Sequence, residues 1–162
     1  MTTTERVRAY LPEPLLAAFM LSVSMNIFGK PSLANFMHAE ARDILSLLTV
    51  LLGASLALWV GLFWVSNSTF GKWLSARGAL QSINAAYITS VAVLMAACVS
   101  CLLCAYLTPA YLKTQLIGIS ISLYGLLTIP TMLNNTRILL GLHGKFGSQS
   151  ASVTDIRPGS YK

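Results

Sequence analysis

The stretch Ile44–Val65, ILSLLTVLLGASLALWVGLFWV, decides the fold. It contains no charged residue, and as a helix rising 1.5 Å per residue it reaches about 33 Å. The hydrocarbon core of a bilayer is about 30 Å thick, so one helix of this length crosses it. Three further apolar runs lie around it: Leu15–Phe28, Ile83–Leu107, and Leu116–Leu133, which continues in more polar form toward Leu142. The first is the shortest. Held between Pro14 and Gly29-Lys30-Pro31, it reaches only about 21 Å.

Composition agrees with a membrane protein. Of 162 residues, 55% are hydrophobic and 10% charged, and mean hydropathy is +0.67. Soluble domains are about one quarter charged, so this chain cannot wet the surface of a soluble fold. The same numbers exclude a basic nucleic-acid-binding domain, a disulfide scaffold and a disordered tail protein. The net charge of +6 is spread between the apolar runs and is read as topology.

The expected fold is all-α: a polytopic integral membrane protein with four transmembrane helices and with N- and C-termini cytoplasmic. Residues 1–142 form the membrane domain, with spans at about 14–29, 44–66, 83–107 and 116–137. Residues 143–162 form a polar cytoplasmic tail, rich in Gly and Ser and without periodicity. Arg6, Arg8, the first apolar run and Ser32-Leu33-Ala34 also have the outline of a secretory signal, but the run is taken as a first helix. Four spans place Arg6, Arg8, Lys72, Arg77, Arg137, Lys145, Arg157 and Lys162 inside, against Lys30, Arg42 and Lys113 outside. If the first run lies on the surface, the bias vanishes.

Between the spans, residues 29–43 read as an outer loop, and Asp43 as a cap near the start of the second helix. Residues 66–82 read as a cytoplasmic loop. Phe70, Trp73, Leu74 and Arg77 share one side there, as in an interfacial amphipathic turn. Trp59, Phe63 and Trp64 read as an aromatic belt at the same end.

Lipid supplies no hydrophobic force between helices, so small residues and hydrogen bonds must join them. Small residues recur at spacings of four: Ala18 and Ser22 before Asn26; Gly53, Ala57 and Gly61; Ala92, Ala96, Ser100 and Cys104; Gly118 and Ser122 before Gly125. The Gly53–Ala57–Gly61 face is expected to make a helix contact, within the chain or between copies. Asn26 is expected to hydrogen-bond across helices. Pro130 removes a backbone donor and frees the Leu126 carbonyl, which makes it a kink or hinge, with Thr128 and Thr131 near enough to fill the gap.

Chemistry-bearing motifs are sparse. No Asp, Glu, Lys, Arg or His falls inside the apolar runs; the carboxylate nearest the first run is Glu13, ahead of that helix. This argues against proton-coupled transport. His38 and His143 fall on opposite sides of the membrane, so they cannot ligate one haem. His38, Glu40 and Asp43 could meet a metal, but a solvated loop explains them. Cys98, Cys101 and Cys104 lie within a helical run that fans them apart, so they read as packing rather than cluster ligands. No nucleophile has a nearby base. The chain is therefore read as non-enzymatic, with no catalytic, cofactor or metal residues and no cofactor.

Two functions fit. The first is a small membrane subunit that forms homo-oligomers, anchors a cytoplasmic or membrane protein partner at the bacterial inner membrane, or does both. Its docking residues would be Lys72, Trp73, Arg77, Arg137, Lys145 and Arg157, and it would make no direct contact with nucleic acid. The alternative is a homo-oligomeric pore, of the kind found in envelope-stress or antiphage systems, lined from Ser22, Asn26, Ser120, Ser122, Asn134 and Asn135.

Overall fold

A computed structural model describes residues 12–108 and 110–154, and the side chains of 13–108 and 110–147. Within them there are five helices and no strand: α1 (Pro12–Phe28), α2 (Lys30–Ser66), α3 (Thr69–Ala76), α4 (Ala79–Tyr106) and α5 (Leu112–Thr154). Three of these, α2, α4 and α5, are long and apolar enough to cross a membrane. Helix α1 has 17 residues, about 26 Å, and falls short of the usual length for a span.

The core is a three-helix seam. On α2 the residues Ala34, Ala41, Leu48, Ser55 and Leu62 are buried at steps of seven. On α4 the buried series is Ile83, Tyr87, Ser90, Leu94, Ala97, Cys101 and Cys104, in alternating steps of four and three. On α5 it is Gln115, Gly118, Ser122, Gly125, Thr128 and Met132. A repeat near 3.5 residues keeps one stripe facing its neighbours and suits left-handed packing with crossings of about 20°.

Contacts fix the register. Gly118 faces Cys104, Ser122 meets Cys101, Gly125 faces Ala97 and Thr136 meets Tyr87. Helices α4 and α5 are thus antiparallel over about 27 Å, close to the hydrocarbon thickness. Helix α2 runs parallel to α5, with Met37 beside Gly118, Leu48 beside Gly125 and Ser55 beside Met132.

Two glycines set the closeness of α4 and α5. A Cβ on Gly118 would collide with the Cys104 sulfur, and one on Gly125 would lie 3.1 Å from the Ala97 Cβ. The Ser122 hydroxyl donates to the Gly118 carbonyl and sits 3.1 Å from the Cys101 sulfur. The cysteines therefore act as small packing groups, with Cys101 and Cys104 buried and all three free.

Several expectations from the sequence are corrected. Residues 29–43 are not a loop. Gly29, at φ +77°, turns the chain, and α2 then runs unbroken from Lys30 for 37 residues. A positive φ is the conformation glycine adopts at no steric cost, and Pro31 suits a first helical turn. Asp43 is consequently mid-helix and exposed rather than a cap. Residues 143–154 do not leave the helix, because α5 continues to Thr154. The small-residue stripe on α4 is displaced: Ala92 and Ala96 face outward and Ser100 is half-buried, while the neighbouring stripe is the one that packs.

The stability consequence is direct. Gly118→Val and Gly125→Val should each lose about 1–3 kcal/mol through overpacking. Gly61→Ala, where an added Cβ meets nothing within 4 Å, should stay within about 0.5 kcal/mol of the parent. Reversible unfolding in mixed detergent micelles measures all three.

Candidate functional site

The end of the bundle carrying α3 gathers aromatic rings and cations. Ser68 starts α3 by accepting the Gly71 amide at 3.1 Å, which satisfies one unpaired helix donor. The helix then buries Phe70 and Leu74. The Phe70 ring packs against the extension of α5, meeting His143 edge-on at 4.8 Å and Phe146 at 5.5 Å. Trp73 stacks beside Phe70 at 5.9 Å and touches Phe146 at 5.7 Å. The Arg77 guanidinium lies 4.0 Å from the centre of the Trp73 ring, a cation–π contact worth about 0.5–1 kcal/mol at an exposed site.

Lys72, Arg77, Arg137 and Lys145 all lie on the exposed surface of α3, its C-terminal turn and the lower part of α5. Arg157 lies outside the described residues. The three described carboxylates are elsewhere: Glu13 on α1, and Glu40 and Asp43 in the first half of α2. This end of the molecule therefore carries four exposed cations, of which Arg77 lies against the aromatic cluster.

Just inside this end, the Trp59 indole N–H donates to the Asn84 side-chain oxygen at 2.9 Å, joining α2 to α4. The Tyr87 hydroxyl pairs with Thr136 at 2.6 Å, joining α4 to α5. Of the expected aromatic belt, Phe63 and Trp64 remain exposed and Trp59 turns inward.

The opposite end has its own polar tie. His38 donates from Nδ1 to the Cys104 carbonyl at 3.2 Å, which fixes the proton on that nitrogen because a carbonyl only accepts. The fully buried Gln115 donates to the same carbonyl and to that of Leu107, each at 3.2 Å. These are the carbonyls left without helical partners at the end of α4. Three helices thus meet at one polar point, and His38 belongs to it rather than to a metal-binding loop. Among the described residues, no group of three His, Cys, Asp or Glu side chains comes together.

The remaining sequence candidates scatter. Gly53, Ala57 and Gly61 face outward, with nothing within 4 Å of a Cβ on either glycine, so this face makes no contact within the chain. Ala18, Ser22 and Asn26 are also exposed, and among the described residues Asn26 makes no interhelical hydrogen bond. Ser122 is locked in the core, Ser120 and Asn135 are half-buried, and Asn134 is exposed. These polar residues do not converge on one lumen within a single chain.

Glu13 requires a correction. It lies in the first turn of α1, half-buried, and accepts a hydrogen bond from Thr131 on α5. Thr131 sits one residue beyond Pro130, at the depth of the α2–α5 contact at Met132. The carboxylate therefore lies beside α5, within the first turn of α1 and not ahead of that helix. Thr131 thus turns to Glu13, while Thr128 donates to the Gly125 carbonyl at 2.7 Å. Neither hydroxyl occupies the Leu126 carbonyl freed by Pro130.

Phe146 is the keystone of the aromatic cluster. Replacing it with Ala should release α3 from α5 and speed amide exchange of residues 69–76 by about tenfold. Exchange in the α4 seam around Leu94 should be unchanged.

Comparison with protein-family models, with curated proteins and with solved structures finds no match.

Proposed function

We propose that this chain is a small, non-enzymatic subunit of the bacterial inner membrane that self-associates and docks a cytoplasmic protein. The observation that carries the reading is the outward face Gly53–Ala57–Gly61 on a spanning helix. A face with no side chains beyond a methyl lets a second backbone approach closely, and in lipid such contact and its dispersion energy replace the hydrophobic effect. Val60, Phe63 and Trp64 flank it as larger exposed residues.

In this reading the cationic end, with Lys72, Arg77, Arg137 and Lys145, lies in the cytoplasm, as the positive-inside rule favours. Both termini share that side in this reading, and α1 makes a fourth, short crossing. The aromatic cluster of Phe70, Trp73 and Phe146 gives the end a rigid platform. Its surface charges suit an acidic protein segment and steer it there over about a Debye length.

Two substitutions sets separate the two halves of the proposal. Gly53→Leu combined with Gly61→Leu should lower the oligomer fraction in native-membrane extracts about tenfold, because two bulky side chains hold the backbones apart. An unchanged particle mass would remove this face as the interface. Arg137→Ala, Lys145→Ala and Arg157→Ala together should release the partner from affinity-purified particles without altering self-association. A partner retained at full stoichiometry would place the dock elsewhere.

A further inference from the structure

A cavity of about 560 Å³ lies where α1, the start of α2 and α5 meet. Phe28, Phe36, Ile119 and Leu123 supply its apolar wall, and Ser24 and Ser32 its hydroxyls. The volume falls within the range of about 300–1,000 Å³ typical of ligand sites. No aromatic stack, metal-ligand group or acid–base pair accompanies it, so its chemistry is that of a slot for an apolar chain.

Its depth identifies the occupant. Ile119 follows Gly118, which faces Cys104 near the end of α4, and Leu123 follows Ser122, which faces Cys101. The slot therefore runs about 6 Å along α5, inward from the helix ends. Phe28 and Phe36 are 64% and 58% exposed, so the cavity opens sideways onto the surface that lipid covers. Lys30 lies in the chain between the lining residues Phe28 and Ser32, in the α1–α2 turn, and is exposed. Apolar slot below and cation above is the order in which a bilayer lipid presents its chain and its phosphate. An unfilled slot of this size would forgo the dispersion contacts of its walls.

We propose that this cavity seats one acyl chain of a phospholipid whose phosphate is held by Lys30. The site is independent of the interface on α2 and of the cationic end. A lipid held there wedges α1 against α2 and α5 and explains how a short helix with an exposed apolar surface keeps its place.

The test is native mass spectrometry of the full chain in a mild maltoside detergent, titrated with palmitoyl-oleoyl phosphatidylglycerol. The parent protein should retain one equivalent through delipidation. Leu123→Trp, which fills the slot, should lose it, whereas Val99→Trp, on the exposed face of α4, should keep it. Lys30→Gln changes no packing and should weaken retention about fivefold. If Leu123→Trp does not fold, the Lys30→Gln comparison decides alone. Equal retention by the parent and Lys30→Gln overturns the proposal. So does retention of stearate in preference to the phospholipid, or the absence of any saturable equivalent in the parent.

Discussion

The structure depends on how closely α4 and α5 approach. In water, burial of Leu94 or Met37 would itself drive helices together. In lipid it does not, and contact between backbones must supply the attraction. Gly118 and Gly125 remove the side chains that would hold the helices apart, and Cys104, Cys101 and Ala97 present small groups to the space so opened. Once that pair is set, α2 lies against both with its seven-residue repeat. The polar ties at Trp59–Asn84, Tyr87–Thr136 and Gln115 then fall into line at the ends of the same seam. A larger residue at Gly118 would disturb the register that each of these hydrogen bonds needs.

Much of this was legible in the sequence. The apolar runs point to four spanning helices, and three of the four are long and apolar enough to cross, because length and hydropathy are the signals for a span. The Gly118–Ser122–Gly125 stripe also announced itself, since a core face on a membrane helix is written in small residues. The Ala92–Ala96–Ser100 stripe misled for the same reason. Small residues are common on every face of such helices, and nothing local says which face meets a neighbour. Residues 29–43 were misread because Gly, Lys, Pro and four titratable side chains are a loop signature. Only Gly29 breaks the helix, and Met37 and Ala41 then anchor the rest against α4 and α5. The extension of α5 past His143 was hidden because its glycines weaken helix propensity. Its order comes from Phe146 meeting α3, a contact with no mark in local sequence.

The candidate sites were legible only in part. Trp73 and Arg77 were recognised as one face, but their partner Phe146 was missed, because the pairing joins α3 to α5 across the fold. Gln115 and Asn84 were missed as well. Each is a single polar residue at the edge of an apolar run, Asn84 just inside one and Gln115 just before another, and only the fold shows that they tie three helices. The position of Glu13 before the apolar run hides its partner, because only the packing of α1 on α5 brings it beside Thr131. The two ends of the molecule consequently differ in kind. One is tied by hydrogen bonds to the end of α4, and the other is an aromatic platform under a set of cations.

The central claim is that the chain acts through other proteins and not alone. The most direct measurement is the mass and composition of the particle extracted from native membranes in mild detergent. The account predicts a particle containing several copies of the 17.4 kDa chain, with a second polypeptide at fixed ratio. A particle containing a single copy and no other protein would contradict it.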